Sequence, residues 1–144
     1  MITVFLFSHQ PSDESSGTSG NVIRAILRII PGYSQMEEIE QEKLVELLQP
    51  IARKLAHFSI YTLGGILLAL NINEYNLNYK KKFLFNCLAG FIYSVTDEIH
   101  QIFIPGRAWM AIDVVIDTIG VLLGVALVWV VIEIIKRKKE KVYE

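Results

Sequence analysis

The chain has 144 residues, enough for about one domain, and 52% of them are apolar while 20% are charged. Its 14 Lys and Arg residues nearly balance 15 Asp and Glu residues, so there is no global positive field and we expect no nucleic-acid partner. The single cysteine, Cys87, excludes an internal disulfide scaffold. Charged and apolar residues occupy separate stretches, which indicates an integral membrane protein.

The N-terminal third contains no complete predicted span. Residues 1–7 are apolar but too few to cross a bilayer, so they predict a partial first span. In the next segment, residues 8–54, the Ser- and Gly-rich stretch 11–20 is typical of a loop, and Asn21 suits the N-cap of a short helix. Residues 36–48 have the pattern of an acidic amphipathic helix.

Three apolar segments after Pro50 predict transmembrane helices. Residues 112–135 are long enough to cross a hydrocarbon core of roughly 30 Å. Residues 55–70 are shorter, but the basic residues before them extend their reach by snorkelling. Residues 83–103 span only if the helix continues through their polar C-terminal part. The alternative, buried helices of a soluble core, is disfavoured because these segments leave little polar surface to cover them.

Basic residues predict the orientation. Lys80, Lys81 and Lys82 directly precede the segment 83–103, and residues 136–144 form a basic tail. Both clusters lie on one side of the bilayer if all three segments cross it, and an excess of Lys and Arg marks the cytoplasmic side. We therefore expect a multi-pass plasma-membrane protein with a cytoplasmic C-terminus and with residues 8–54 outside.

Polar and small residues recur at helical spacing on each predicted span. Charged groups inside a span cost about 2.5–3.5 kcal/mol each, so three stripes that converge on one membrane face need a reason. The stripes are Lys54, His57, Tyr61 and Gly64; Asn86, Gly90, Tyr93, Asp97 and His100 or Gln101; and Asp113, Asp117, Gly120 and Gly124.

The expected fold is an all-α, small polytopic helical bundle in a single domain, 1–144.

The ionisable members of these stripes, with their neighbours, predict a ligand-binding site near the outer face. Arg53, Lys54 and Arg107, at the outer face, could hold a phosphate or a carboxylate. A purely structural polar network and an acid–base pair stay open as alternatives. Ligation of a divalent metal is less favoured than either, so we expect no cofactor. The catalytic candidates are His57, Asp97, Glu98 and His100. The ligand-binding candidates are Lys54, His57, Tyr61, Asp97, Glu98, His100, Gln101, Arg107, Asp113 and Asp117.

Gly120 and Gly124 form a small-xxx-small pattern, which is typical of closely packed helices in membranes. We expect this pattern to serve packing within the chain. An oligomer through the same two glycines is the alternative.

Several strings in the chain resemble the VanZ-like membrane proteins. They are RKLAHFSIYTLG from Arg53 to Gly64, DEIHQIFIPGR from Asp97 to Arg107, Asp113 with Gly120, and FSHQP at residues 7–11. The resemblance covers nearly the whole chain. Two features depart from the pattern: the first transmembrane helix is clipped to a few residues, and Asp117 stands where the pattern generally has Asn.

The resemblance implies a small multispan protein of the bacterial cell envelope. The family's named member is associated with low-level resistance to the glycopeptide teicoplanin, apart from the enzymes that remodel peptidoglycan termini. On that basis we expect an outer polar pocket that binds an anionic lipid or a lipid-linked wall precursor. The alternatives are an intramembrane hydrolase or transferase that uses His57 with Asp97 or Glu98, and a structural or assembly subunit without a ligand.

Overall fold

The computed structural model describes residues 12–105 and 109–141, and their side chains from residue 17 onward. Within those ranges the fold is all-α, as the sequence predicts. A single 3-10 turn, Tyr33–Gln35, separates the first two helices. The α-helices are α1 (Ser12–Leu27), α2 (Glu38–Asn73), α3 (Tyr79–Gln101) and α4 (Ala111–Glu140).

The two longest helices, α2 and α4, form the centre of the bundle. They have 36 and 30 residues, and both are long and apolar enough to cross a membrane. At 1.5 Å per residue α2 is about 54 Å long, so it exceeds a hydrocarbon core of roughly 30 Å. The predicted segments 55–70 and 112–135 lie within these two helices.

Close packing of α2 on α4 depends on glycines that face each other. A Cβ at Gly65 would collide with the carbonyl oxygen of Val121, and one at Gly124 with that of Thr62. Small residues allow such backbone approach in membrane bundles. Gly120 and Gly124 therefore serve packing within the chain, and an oligomer through them stays a prediction. The predicted stripe on α2 was wrong by one residue, because the glycine that faces α4 is Gly65 and a Cβ at Gly64 would meet open space.

The prediction of a loop over 11–20 with an N-cap at Asn21 was wrong, because α1 already begins at Ser12. The Ser-Asp-Glu sequence at its start suits the first turn of a helix, whose free N–H groups favour acceptors and negative charge. Ile23 and Leu27 of α1 are buried with Val45 of α2. Packing against α2 thus outweighs the low helix propensity of the Ser- and Gly-rich sequence.

Pro50 lies between the predicted amphipathic helix 36–48 and the predicted span 55–70, which the structure joins into one helix. It lies inside the continuous α2. A proline removes one helical N–H donor, here the one that would bond to the carbonyl of Glu46. Both residues are exposed, so that carbonyl is open to another donor, while Val45 before the proline and Tyr61 after it are buried in separate packed clusters.

The helix α3 is polar inside and apolar outside. It overlaps the predicted segment 83–103 and ends at Gln101. Half or more of the residue surface remains exposed at Leu84, Phe85, Phe91 and Ile92. The buried positions are Asn86, Gly90, Ser94, Asp97, Glu98 and Gln101, which include four of the predicted stripe residues.

Contacts at one end of the bundle bring the two basic clusters together. The ammonium of Lys136 donates to the hydroxyl of Tyr79 at 2.9 Å, which joins the end of α4 to the start of α3. Lys82 donates to the backbone carbonyl of Asn73, at the end of α2. Near the same end Arg137 pairs with Glu133 at 3.1 Å, within the last turns of α4.

Candidate functional site

A cavity of about 300 Å³ opens between α2, α4 and the end of α3. It lies towards the end of the bundle opposite the basic clusters, because it collects residues from the middle of α2, the C-terminus of α3 and the N-terminus of α4. Its lining combines charged and apolar groups. The residues are Pro50, Arg53, Lys54, His57, Gln101, Met110, Asp113, Ile116 and Asp117.

Basic residues of α2 line the cavity on its more accessible side. The ammonium of Lys54 lies 3.4 Å from Oδ1 of Asp113, and both side chains are partly exposed. Arg53 also lines the cavity and forms no ion pair with any residue in the described ranges. A guanidinium there can offer paired N–H donors to a carboxylate or a phosphate.

Towards the interior, His57 of α2 faces Asp117 of α4. Its Nδ1 lies 3.8 Å from Oδ1 of Asp117, which is too long for a hydrogen bond but close enough for electrostatic attraction if the imidazole is protonated. The carboxylate is almost completely buried, whereas the His57 side chain keeps about a quarter of its surface exposed. The His57 ring also stacks on Tyr61, with centroids 6.4 Å apart.

Carboxylates of α3 complete the inner part of the site. Asp97 is fully buried and accepts a hydrogen bond from Nε2 of Gln101 at 3.4 Å. Glu98 is also buried, and its Oε1 accepts the backbone N–H of Met110 at 2.7 Å. That bond fixes the N-terminus of α4 against the end of α3.

Most of the predicted binding residues therefore meet in one place. His100 is half-buried near the end of α3 and lies outside the set that lines the cavity. Arg107 lies outside the described residues. The structure brings together Lys54, His57, Tyr61, Asp97, Glu98, Gln101, Asp113 and Asp117.

Sequence reasoning missed the apolar residues that line the cavity and one hydrogen bond between two helices. Pro50, Met110 and Ile116 line the cavity without any polar group that a motif search would notice. Ser94 donates from Oγ to the carbonyl of Val114 at 3.3 Å and so links α3 to α4. Its spacing to Asn86 and Gly90, at steps of four, was the signal that could have placed it on the buried face of α3.

Fold and site together define an all-helical, membrane-compatible bundle with a polar site enclosed by apolar helices. The VanZ/LLP1 family model matches residues 1–133, and the chain belongs to that family of envelope proteins. Comparisons with curated proteins and with solved structures give no significant match.

Proposed function

We propose that this chain is a multi-pass protein of the bacterial plasma membrane whose outer pocket binds an anionic lipid headgroup or a lipid-linked wall precursor. The observation that carries the proposal is the cavity of about 300 Å³ with Arg53 and Lys54 on its accessible side. Family membership supports an envelope role. By resemblance to the VanZ-like proteins, binding at this pocket would reduce the access of teicoplanin to its target at the membrane surface.

The depth of the cavity supports a ligand in the headgroup region. About 28 Å of helix separates Lys54 from Asn73 at the other end of α2, close to the thickness of a hydrocarbon core. With the basic end at the cytoplasmic face, Arg53 and Lys54 would lie near the outer headgroups. The more N-terminal part of α2 and helix α1 would then project from the outer surface.

The charges of the pocket favour an anion at its mouth. Lys54 is already engaged with Asp113, which leaves the guanidinium of Arg53 as a donor that no described residue neutralises. Met110 and Ile116 add apolar surface beside it, which suits the first carbons of an acyl or prenyl chain. A lipid with a phosphate headgroup offers both groups in this order, first the anion and then the apolar chain.

The test compares Arg53→Gln with Arg28→Gln, which removes the same charge from an exposed site away from the cavity. Purified full-length chain is titrated with nanodiscs of phosphatidylcholine containing or lacking phosphatidylglycerol, and separately with soluble inorganic phosphate. We expect Arg53→Gln to weaken binding of the anionic lipid by about tenfold or more, since a hydrogen bond to a charged group contributes about 1.5–3 kcal/mol. Arg28→Gln should bind like the wild type.

A cellular measurement addresses the resistance phenotype. A susceptible Gram-positive host expresses wild type, Arg53→Gln, His57→Ala or Asp97→Asn at equal membrane levels, and tolerance to teicoplanin is compared with tolerance to vancomycin, which lacks the acyl tail. We expect the wild type to raise teicoplanin tolerance selectively and the three variants to lose that increase. Equal tolerance in all strains would contradict a functional pocket and favour a structural subunit.

A further inference from the structure

The buried floor of the pocket holds three carboxylates. Asp97, Glu98 and Asp117 each expose 1% or less of their surface. Neither carboxylate oxygen of Asp117 accepts a hydrogen bond from any residue in the described ranges, and the same is true of Oε2 of Glu98. Buried carboxylates of this kind need a proton, a cationic partner or a metal ion.

The same floor brings together a donor set typical of a metal site. Ligand atoms of His57, Asp97 and Asp117 all lie within 4.8 Å of one another, and they come from three different helices. Ligands of a zinc ion at about 2.1 Å from the metal are separated by roughly 3.4 Å in a tetrahedral site, so small side-chain rotations would close this set around an ion. Glu98 and Asp113 are near enough to interact electrostatically with Asp117.

We infer that His57, Asp97 and Asp117 form a binding site for a divalent cation at the floor of the pocket. One imidazole nitrogen with carboxylate oxygens suits Zn²⁺ or Mn²⁺ better than Ca²⁺ or Mg²⁺, which favour oxygen ligands alone. The cation neutralises the inner carboxylates and cross-links α2, α3 and α4 at one level of the bundle. Asp117, which stands where the VanZ-like pattern generally has Asn, supplies one of the anionic ligands.

The experiment uses full-length chain without a polyhistidine tag, purified in a zwitterionic detergent, stripped with chelator and dialysed. Equilibrium dialysis against ZnCl₂ and against MnCl₂, with metal counted by mass spectrometry, gives stoichiometry and affinity. We expect roughly one ion per chain and an increase of the thermal unfolding midpoint with metal concentration. Because no anionic lipid is present, this result is independent of ligand binding at the pocket mouth.

Three variants assign the site. Asp117→Asn and Asp97→Asn should each weaken the affinity by about a hundredfold or more, since loss of a ligand costs at least as much as loss of its supporting hydrogen bond. Glu133→Gln makes the same carboxylate-to-amide change near the opposite end of α4 and should leave affinity unchanged. Without metal, Asp117→Asn should unfold at a higher temperature than the wild type, because it removes a buried charge.

Binding that Asp117→Asn and Asp97→Asn abolish, while Glu133→Gln keeps it, supports the inference. Absence of bound Zn²⁺ and Mn²⁺ in folded wild-type protein would overturn it, and so would equal binding by wild type and Asp117→Asn. If Asp117→Asn does not fold, Asp97→Asn and His57→Gln carry the assignment. Failure here combined with lipid binding that depends on Arg53 would leave the proposed function intact.

Discussion

At the scale of single residues, the two carboxylate oxygens of Glu98, at the junction of α3 and α4, have different surroundings. One of its carboxylate oxygens accepts the Met110 N–H, while the other is buried without a hydrogen bond from the described residues. The first oxygen does what an N-cap acceptor does for a helix, since α4 begins directly after Met110. The second oxygen accepts no such backbone hydrogen bond from the described residues.

We therefore predict different outcomes for Glu98→Gln and Glu98→Leu. The glutamine keeps an oxygen for the Met110 N–H, so the unfolding free energy should fall by less than about 1 kcal/mol. The leucine leaves that donor unsatisfied and should cost about 1–3 kcal/mol. Thermal and denaturant unfolding in detergent measure both. Equal destabilisation by the two variants would show that the carboxylate charge, rather than the hydrogen bond, holds the junction together.

The gathering of the site residues could be predicted from single helices, but their pairing could not. Spacing at three and four residues placed Asp97 and Gln101 on one face of α3, and Asp113 and Asp117 on one face of α4. Which carboxylate would face His57 depends on the rotation and height of one helix against another. Those are set by contacts between helices, such as Gly124 on Thr62, that no local pattern encodes.

At the scale of helices, α2 and α4 are held together by backbone approach, and neighbouring glycines of α2 provide a matched test. A Cβ at Gly65 meets the backbone of Val121, whereas a Cβ at Gly64 meets nothing within 4 Å. Gly65→Ala should therefore lower the unfolding free energy by about 1–3 kcal/mol through overpacking. Gly64→Ala should be neutral or stabilising by up to about 1 kcal/mol, because alanine is the better helix former.

Differential scanning fluorimetry in detergent gives both midpoints under one condition. A loss of stability in Gly64→Ala as large as that in Gly65→Ala would contradict the packing of α2 on α4. The comparison also explains the one-residue error in the predicted stripe. Adjacent glycines are equivalent in sequence, and only the partner helix distinguishes them.

The start of α1 and the continuity of α2 were harder to predict for a related reason. Ser- and Gly-rich residues favour loops, and proline disfavours helix interiors, when each is considered locally. In the folded chain, Gly20 of α1 faces α2, where a Cβ would lie 3.2 Å from Nε2 of Gln49 and in ordinary contact with Val45. Tertiary contact thus turns a residue type that favours loops into one that fits a helix pair.

Across the described residues of the whole molecule, polar and charged side chains are buried beside an apolar core, while many large apolar side chains face outward, which differs from a soluble protein. Asn86, Ser94, Asp97, Glu98 and Asp117 are buried, while large apolar residues cover the outer faces of α2, α3 and α4. Contact between this apolar surface and water would be unfavourable, whereas contact with lipid hydrocarbon would not. This distribution supports a crossing by α3 as well, although its composition is more polar than that of α2 and α4.

Four positions that alternate along the chain test the number of crossings and the orientation. In a chain with Cys87→Ser, single cysteines replace Glu46, Glu74, Trp109 or Lys139, all of them exposed. If α2, α3 and α4 each cross and the basic end is cytoplasmic, a membrane-impermeant maleimide added to intact cells should label the first and third positions. The second and fourth should react only after permeabilisation, because Lys- and Arg-rich ends are retained inside.

Each departure from that alternation has its own meaning, because each helix is bounded by two of the positions. Labelling at 74 and 109 from the same side would show that α3 does not cross, and its buried carboxylates would then lie in a re-entrant or peripheral helix. Labelling of 74 and 139 alone in intact cells would keep three crossings but invert the protein. The pocket with Arg53 would then open to the cytoplasm, and a wall precursor on the outer leaflet could not reach it. The expected alternation places the pocket where an extracellular glycopeptide acts.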